Sequence, residues 1–150
     1  MIWFTADTHF GHANILRLAN RPFASIKHHD EALVQNWNTK VQPDDVIYHL
    51  GDFAWGGVQE AQAIFDRLNG RKVLIEGNHD KVALQIEGWE AVHSLLEVSV
   101  DGLQLVLCHY PLMEWRGAFR SSYHFFGHVH GNIPHKSRRC DVGVDCWDFT

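Results

Sequence analysis

Long apolar runs are missing from this chain of 150 residues. No segment reaches the roughly 20 apolar residues that a membrane-spanning helix needs, and Met1-Ile2-Trp3-Phe4 gives way to Asp7 and His9 too soon to be the apolar region of a signal peptide. Cysteine is sparse and odd in number: Cys108, Cys140 and Cys146 contain no Cys-x-x-Cys pair, so neither a disulfide framework nor a zinc ribbon is indicated. The reading is a soluble protein of a reducing compartment, the cytoplasm, with no membrane partner. Positive charge is also short. Thirteen Lys and Arg against 18 Asp and Glu leave a formal charge of −5, which argues against a broad electrostatic footprint for nucleic acid. Linkers, repeats and low-complexity tracts are absent as well. The composition, 45% hydrophobic and 21% charged, is that of a folded chain, and the length suits a single domain spanning residues 1–150.

Histidine is the residue in excess, at 12 copies. These histidines are dispersed among apolar runs instead of gathered in a tail, which favours ligands brought together by folding. The apolar runs themselves end in polar chemistry. Ile2–Ala6 reads as a strand that stops at Asp7-Thr8-His9; Val46–Leu50 stops at Gly51-Asp52; Arg71–Ile75 stops at Glu76-Gly77-Asn78-His79-Asp80. Between them, one or two helical turns are expected over Asn14–Ala19 and longer helices over Asp30–Val41 and Val58–Leu68. From Leu95 an alternating pattern broken at Asp101-Gly102 predicts a hairpin whose second arm finishes at His109. Extended segments are then expected near Tyr123–Phe126 and Cys140–Asp148, with Gly127-His128-Val129-His130-Gly131 between them. Strand-helix-strand order in the first half and hairpins in the second imply an α/β protein with mixed or doubled sheets flanked by helices. Such sheets collect ligands at the carboxyl ends of their strands, and there the Asp, Asn and His residues fall.

Carboxylate and amide oxygens mixed with imidazole nitrogens suit Mn, Fe or Zn better than copper. Asp7 and His9, one residue apart, share a face if the segment is still extended, and His128 and His130 repeat that spacing between glycines that let the backbone turn and come close.

Taken together, Asp7-x-His9, Gly51-Asp52, Gly77-Asn78-His79-Asp80, His109 and Gly127-His128-x-His130 resemble the calcineurin-like metallophosphoesterase superfamily, over nearly the whole chain. The resemblance implies a four-layer α/β/β/α sandwich. It also implies a centre of two divalent metal ions, manganese favoured, in which Asp7, His9, Asp52 and His130 hold one ion and Asp52, Asn78, His109 and His128 the other. Asp52 would bridge them. Such a pair clamps a phosphoryl group and turns a bridging water into the attacking hydroxide. His79 would stabilise the transition state or protonate the leaving oxygen. One position departs from the pattern: many relatives carry an acidic residue three positions after the Gly-Asp aspartate, where it orients the catalytic His, and here that position is Trp55.

Other candidates admit plainer roles. His12 and Asn14 either contact substrate or shape a local turn, and Asn78 can serve substrate as well as metal. Arg116, Arg120 and His124 either lean over the metals toward phosphate oxygens or lie in a solvated loop. His49 reads as a core histidine, His28, His29 and His93 as surface residues, and Trp37, Phe65, Trp89 and Cys108 as core. The run His135-Lys136-Ser137-Arg138-Arg139 reads as a charged turn before a nucleic-acid contact. The expected activity is a phosphodiesterase on small phosphodiesters. The alternatives are a phosphomonoesterase or nuclease of the same superfamily and, in another class, a non-catalytic scaffold for protein binding. The sequence is silent on oligomeric state.

Overall fold

The computed structural model describes residues 1–134 and 138–150, so the charged run 135–139 lies partly outside the described residues. Two four-stranded sheets form the frame. In the first, β1 (Ile2–Thr5), β2 (Val46–His49), β3 (Arg71–Ile75) and β4 (Ala91–His93) run parallel in that order. In the second, β5 (Leu95–Val100) and β6 (Leu103–Cys108) make an antiparallel hairpin, and β7 (Ser122–Phe126) and β8 (Arg139–Asp141) add in parallel beside β6. Asp101 and Gly102 turn the hairpin with φ of 49° and 80°, the backbone that a two-residue loop between twisted strands requires. The chain passes from one sheet to the other at Ser94.

Strand alternation sorts the side chains into two cores. Phe4 and Tyr48 from the first sheet meet Leu96, Leu105, Leu107 and Phe125 from the second between the sheets. Phe4 stacks on Tyr48 at 5.5 Å and meets Phe125 edge-on at 5.0 Å, the offset and perpendicular contacts that aromatic quadrupoles favour. The other face of the first sheet is covered by helices. α2 (Ile26–Lys40) buries His29, Leu33, Val34 and Trp37 at helical spacing, and α3 (Val58–Phe65) adds Ala61 and Phe65. A short α1 (Ile15–Leu18) follows the first strand-end loop. The outer face of the second sheet is covered by the segment after β6: Trp115 donates to Ser122 Oγ at 3.0 Å and its ring lies 5.3 Å from that of His124.

The α/β class and the two sheets are therefore as the sequence implies, and several local expectations are corrected. Helix α2 begins four residues earlier than its apolar pattern suggests, because Ser25 Oγ accepts the His28 N–H and caps it. His29 is consequently a buried residue and not a surface one. Cys140–Asp148 is extended only over Arg139–Asp141, after which Val144–Cys146 forms a 3₁₀ turn. Strand β4 has no counterpart in the sequence reading, being three residues long and only partly buried. Trp37, Phe65 and Cys108 are buried and Trp89 packs against the same core.

Leu107 is fully buried between the sheets, so Leu107→Ala is expected to cost about 2–5 kcal/mol by leaving a cavity. Urea unfolding should show a lower midpoint at unchanged slope; an unchanged midpoint would contradict the packing described.

Candidate metal centre

Strands β1, β2 and β3 run parallel, as do β6 and β7, and each releases its chemistry-bearing residues at its carboxyl end. The loops that follow are not extended. Asp7, His9, Asp52, His128 and His130 all have positive φ, between 48° and 71°, so the same-face argument for Asp7-x-His9 and His128-x-His130 does not apply; left-handed turns aim these side chains instead. Non-glycine residues enter this region only where surroundings enforce it.

The enforcing contacts are specific. Phe10 and Phe53, each directly after a candidate ligand, are buried in the helix-side core with centroids 5.2 Å apart. The two loops are laced by His9 N–H to Asp52 O (3.0 Å), Phe10 N–H to Phe53 O (2.9 Å) and Thr8 Oγ1 to Phe53 O (2.8 Å). The buried Asp80 carboxylate accepts the N–H groups of Asp52, Phe53 and Gly77 at 2.9, 2.8 and 2.6 Å, tying the second loop to the third. Gly51 and Gly77 permit this closeness: a Cβ on Gly51 would lie 2.5 Å from His109 Nδ1, and one on Gly77 would lie 2.5 Å from Asp52 Oδ1.

A second buried network holds the first loop. Arg21, only 4% exposed, spends all five of its N–H donors inside the protein. Nε and Nη2 fork onto the Asp145 carboxylate at 2.8 and 2.7 Å, Nη2 also reaches Asp7 O, and Nη1 bonds Thr8 O and His29 Nε2. Asp145 in turn bonds His130 Nδ1 at 2.7 Å. Burial opposes charge on His130, yet Asp145 and Asp7 outweigh it and raise its pKa. Neither Arg21 nor Asp145 stands out in the sequence, where the first precedes a proline and the second lies near the end; only their partners, 124 residues apart, give them meaning.

The result is two adjacent triads, Asp7 with His9 and His130, and Asp52 with His109 and His128, each with ligand atoms within 4.8 Å of one another. Between them stands one atom. Asp52 Oδ2 lies 3.6 Å from His9 Nε2 and 3.6 Å from His109 Nε2, and Asn78 Oδ1 lies 3.0 Å from the same nitrogen of His109. His109 Nδ1 donates to Leu50 O at 2.7 Å, which leaves its Nε2 lone pair facing inward, as metal-ligating imidazoles require.

The donors fit divalent cations. His9 Nε2 is buried without a hydrogen-bond partner, a condition costing about 1–3 kcal/mol unless something fills it. Burial, followed by the nearby Arg21 and His130, drives the His9 pKa far down, keeping the ring in the neutral, ligating form. Burial likewise pushes the Asp7 carboxyl well above its usual range, despite His130 and the His128 N–H; a cation would relieve that penalty. Oxygen and imidazole donors together suit borderline divalent ions.

His9 and His130 of one triad and Asp52 and His128 of the other line a cleft of about 360 Å³, together with His79, His12 and Ile15 and Leu18 of α1, while Asp7 and His109 lie buried behind it. His79 is exposed, its N–H donates to Asp52 Oδ1 at 2.9 Å, and its ring meets Trp55 edge-on at 5.4 Å. Arg116 is not brought to this cleft: on the outer face of the second sheet it pairs with Glu97 at 3.1 Å. His124 is buried on that same face, donating to Val106 O and accepting from Leu112 N–H. His49 is a core residue bonded to Thr8 Oγ1, its pKa lowered to about 3 by burial and by His109. An apolar hollow of about 340 Å³ between α2 and the β1 edge holds none of the candidate ligands.

This geometry is that of a metal-dependent hydrolase of phosphate esters, and comparison with known proteins agrees. The family model described as calcineurin-like phosphoesterase matches residues 1–112, so the chain belongs to that family and acts on phosphoester bonds. An uncharacterized protein of Methanocaldococcus jannaschii is 32% identical, the match covering 99% of this chain and 84% of the relative. A solved structure of a protein of unknown function from Aquifex aeolicus superposes with a TM-score of 0.77 at 27% identity, covering 99% of this chain and 92% of that one. An archaeal phosphodiesterase shares the fold at a TM-score of 0.57 and 19% identity, covering 91% and 77%. No helix among the described residues is long and apolar enough to cross a membrane.

Arg21→Met, which keeps the volume and removes every donor, should strand Asp145 and two carbonyls. The expected loss is about 3–5 kcal/mol, read by urea unfolding, together with fewer divalent ions retained by elemental analysis. A loss below about 1 kcal/mol would show that the network does not hold the loop.

Proposed function

We propose that the protein is a dinuclear-metal phosphodiesterase for small phosphodiesters, a single catalytic domain working in the cytoplasm. The observation that carries the reading is the position of Asp52 Oδ2, equally close to an inward-facing imidazole of each triad. Asp7, His9, Asp52 and His130 would hold one cation and Asp52, Asn78, His109 and His128 the other, with manganese favoured over iron or zinc. Bound there, divalent cations supply Lewis acidity toward phosphoryl oxygens and a lowered pKa for water.

The chain's own groups complete the chemistry. Hydrolysis joins a water oxygen to phosphorus and breaks the bond to the leaving oxygen, which then takes up a proton. His79, exposed at the cleft rim and fixed through its backbone to Asp52, is the donor for that proton. Ile15 and Leu18 of α1 add apolar side chains to the cleft lining.

Charge selects the substrate class. Among the described residues lining the cleft there is neither Lys nor Arg, and the chain is net negative at −5. A monoester dianion rewards additional cationic clamps, whereas a diester monoanion needs fewer; a long polyanion would meet little electrostatic steering. The three cysteines are free, in keeping with a reducing compartment.

Asp52→Asn should lower metal content and abolish hydrolysis, whereas His49→Asn keeps the ions; full activity and two ions per chain in Asp52→Asn would show the cage to be wrong. His79→Ala is expected to retain its ions and lose about 10²–10⁴-fold in turnover, with a smaller loss on esters whose leaving group needs no proton. With Mn²⁺, kcat/KM should be higher on an aryl or cyclic-nucleotide diester than on the matching monoester. A clear monoester preference, or activity confined to long nucleic acid and lost as salt rises, would refute the diester assignment.

A further inference from the structure

Three residues after Asp52, on the same strand-end loop, the Trp55 side chain stands 47% exposed. One face of its indole stacks on His12 at 4.7 Å with 15° between the planes, and it meets the His79 ring at 5.4 Å and 60°. Its position is fixed. Trp55 N–H donates to Phe10 O at 2.8 Å, and Gly11, with φ of 76°, brings the two loops so close that a Cβ there would sit 2.8 Å from Trp55 O. The adjoining Gly56, by contrast, faces open space for at least 4 Å. A large indole on a fixed backbone is thus set beside the proposed proton donor with room next to it.

Core packing does not explain this residue. Trp37 and Trp89 pack in or against the helix-side core; Trp55 does not. An aromatic half in water beside a polar cleft is informative where a scattered surface apolar residue is not. We infer that Trp55, backed by His12, is a stacking platform for a planar aromatic substituent, a nucleobase or aryl ring, carried by the phosphoester bound at the metal centre. The inference rests on the phosphoester reading of the same site and adds what the substrate carries next to its phosphate. The wall is sequence-tolerant by its nature, since every base and aryl ring has a π-face to offer.

The test uses the Mn²⁺-loaded protein and its Trp55→Leu and Trp55→Phe variants. Two diesters share one leaving group, thymidine p-nitrophenyl phosphate and methyl p-nitrophenyl phosphate, so the ratio of their kcat/KM values isolates the substituent from any disturbance of His79. The wild-type ratio should favour the thymidine ester. It should fall by about tenfold or more in Trp55→Leu, the effect of losing one stacked ring, and be largely kept in Trp55→Phe. Because both diesters also carry the p-nitrophenyl ring, an unchanged ratio in Trp55→Leu excludes the base as the stacked group, and with equal calorimetric losses it overturns the inference. Calorimetric binding of thymidylate, phenyl phosphate and methyl phosphate gives the same comparison without turnover. Loss confined to thymidylate assigns the platform to bases, loss on both aromatic esters assigns it to any aryl ring, and equal loss on all three overturns it. If neither diester is cleaved, the diester reading fails, while calorimetry still decides the platform.

Discussion

The Asp80 carboxylate, sealed from water, accepts three backbone N–H groups drawn from two different loops. Burial alone would raise its pKa, and it does, against the lowering effect of those three bonds. This group braces the turn in which Asp52 is left-handed and the loop that brings Gly77 so close that a Cβ there would meet Asp52 Oδ1 at 2.5 Å. The protein holds its site by saturating backbone donors with buried oxygens, a strategy whose cost is strain at five candidate ligands and whose return is their rigid convergence.

A half-buried carboxylate, that of Asp145, works through side chains instead. It joins His130 to Arg21, and Arg21 reaches back to the carbonyls of Asp7 and Thr8 and across to His29, whose Nδ1 meets Asp30. Asp30 then accepts the Gly11 N–H. A continuous polar chain therefore runs from the cleft to the first turns of α2. The fold's parallel strands set the direction in which ligands emerge; these two networks set where they stop.

The order of blocks and their position at strand ends were legible in the sequence because each apolar run terminates in Asp, Asn or His. The strand-helix alternation and the hairpin at Asp101-Gly102 left a mixed sheet or two packed sheets open; only the family resemblance implied two, and the parallel joining of β7 and β8 to β6 was not legible. Nor were the means of convergence. An Asp-x-His spacing looks like alternation along a strand, and only long-range contacts reveal that Asp7 and His9 sit in left-handed turns braced by Phe10, Phe53 and Arg21. His29 looks like a surface residue because its partner Arg21 lies eight positions away across a proline. Arg116 looked close to the blocks along the chain, but strand alternation puts Glu97, its partner, on the far face of the second sheet.

The proposed chemistry turns on one carboxylate, that of Asp52, lying between two cation sites. Anomalous diffraction from crystals grown with Mn²⁺ tests it directly. Two peaks are predicted, one among Asp7, His9 and His130 and the other among His109, His128 and Asn78, with Asp52 shared between them. A single peak, or peaks that leave Asp52 without a cation on either side, would contradict it.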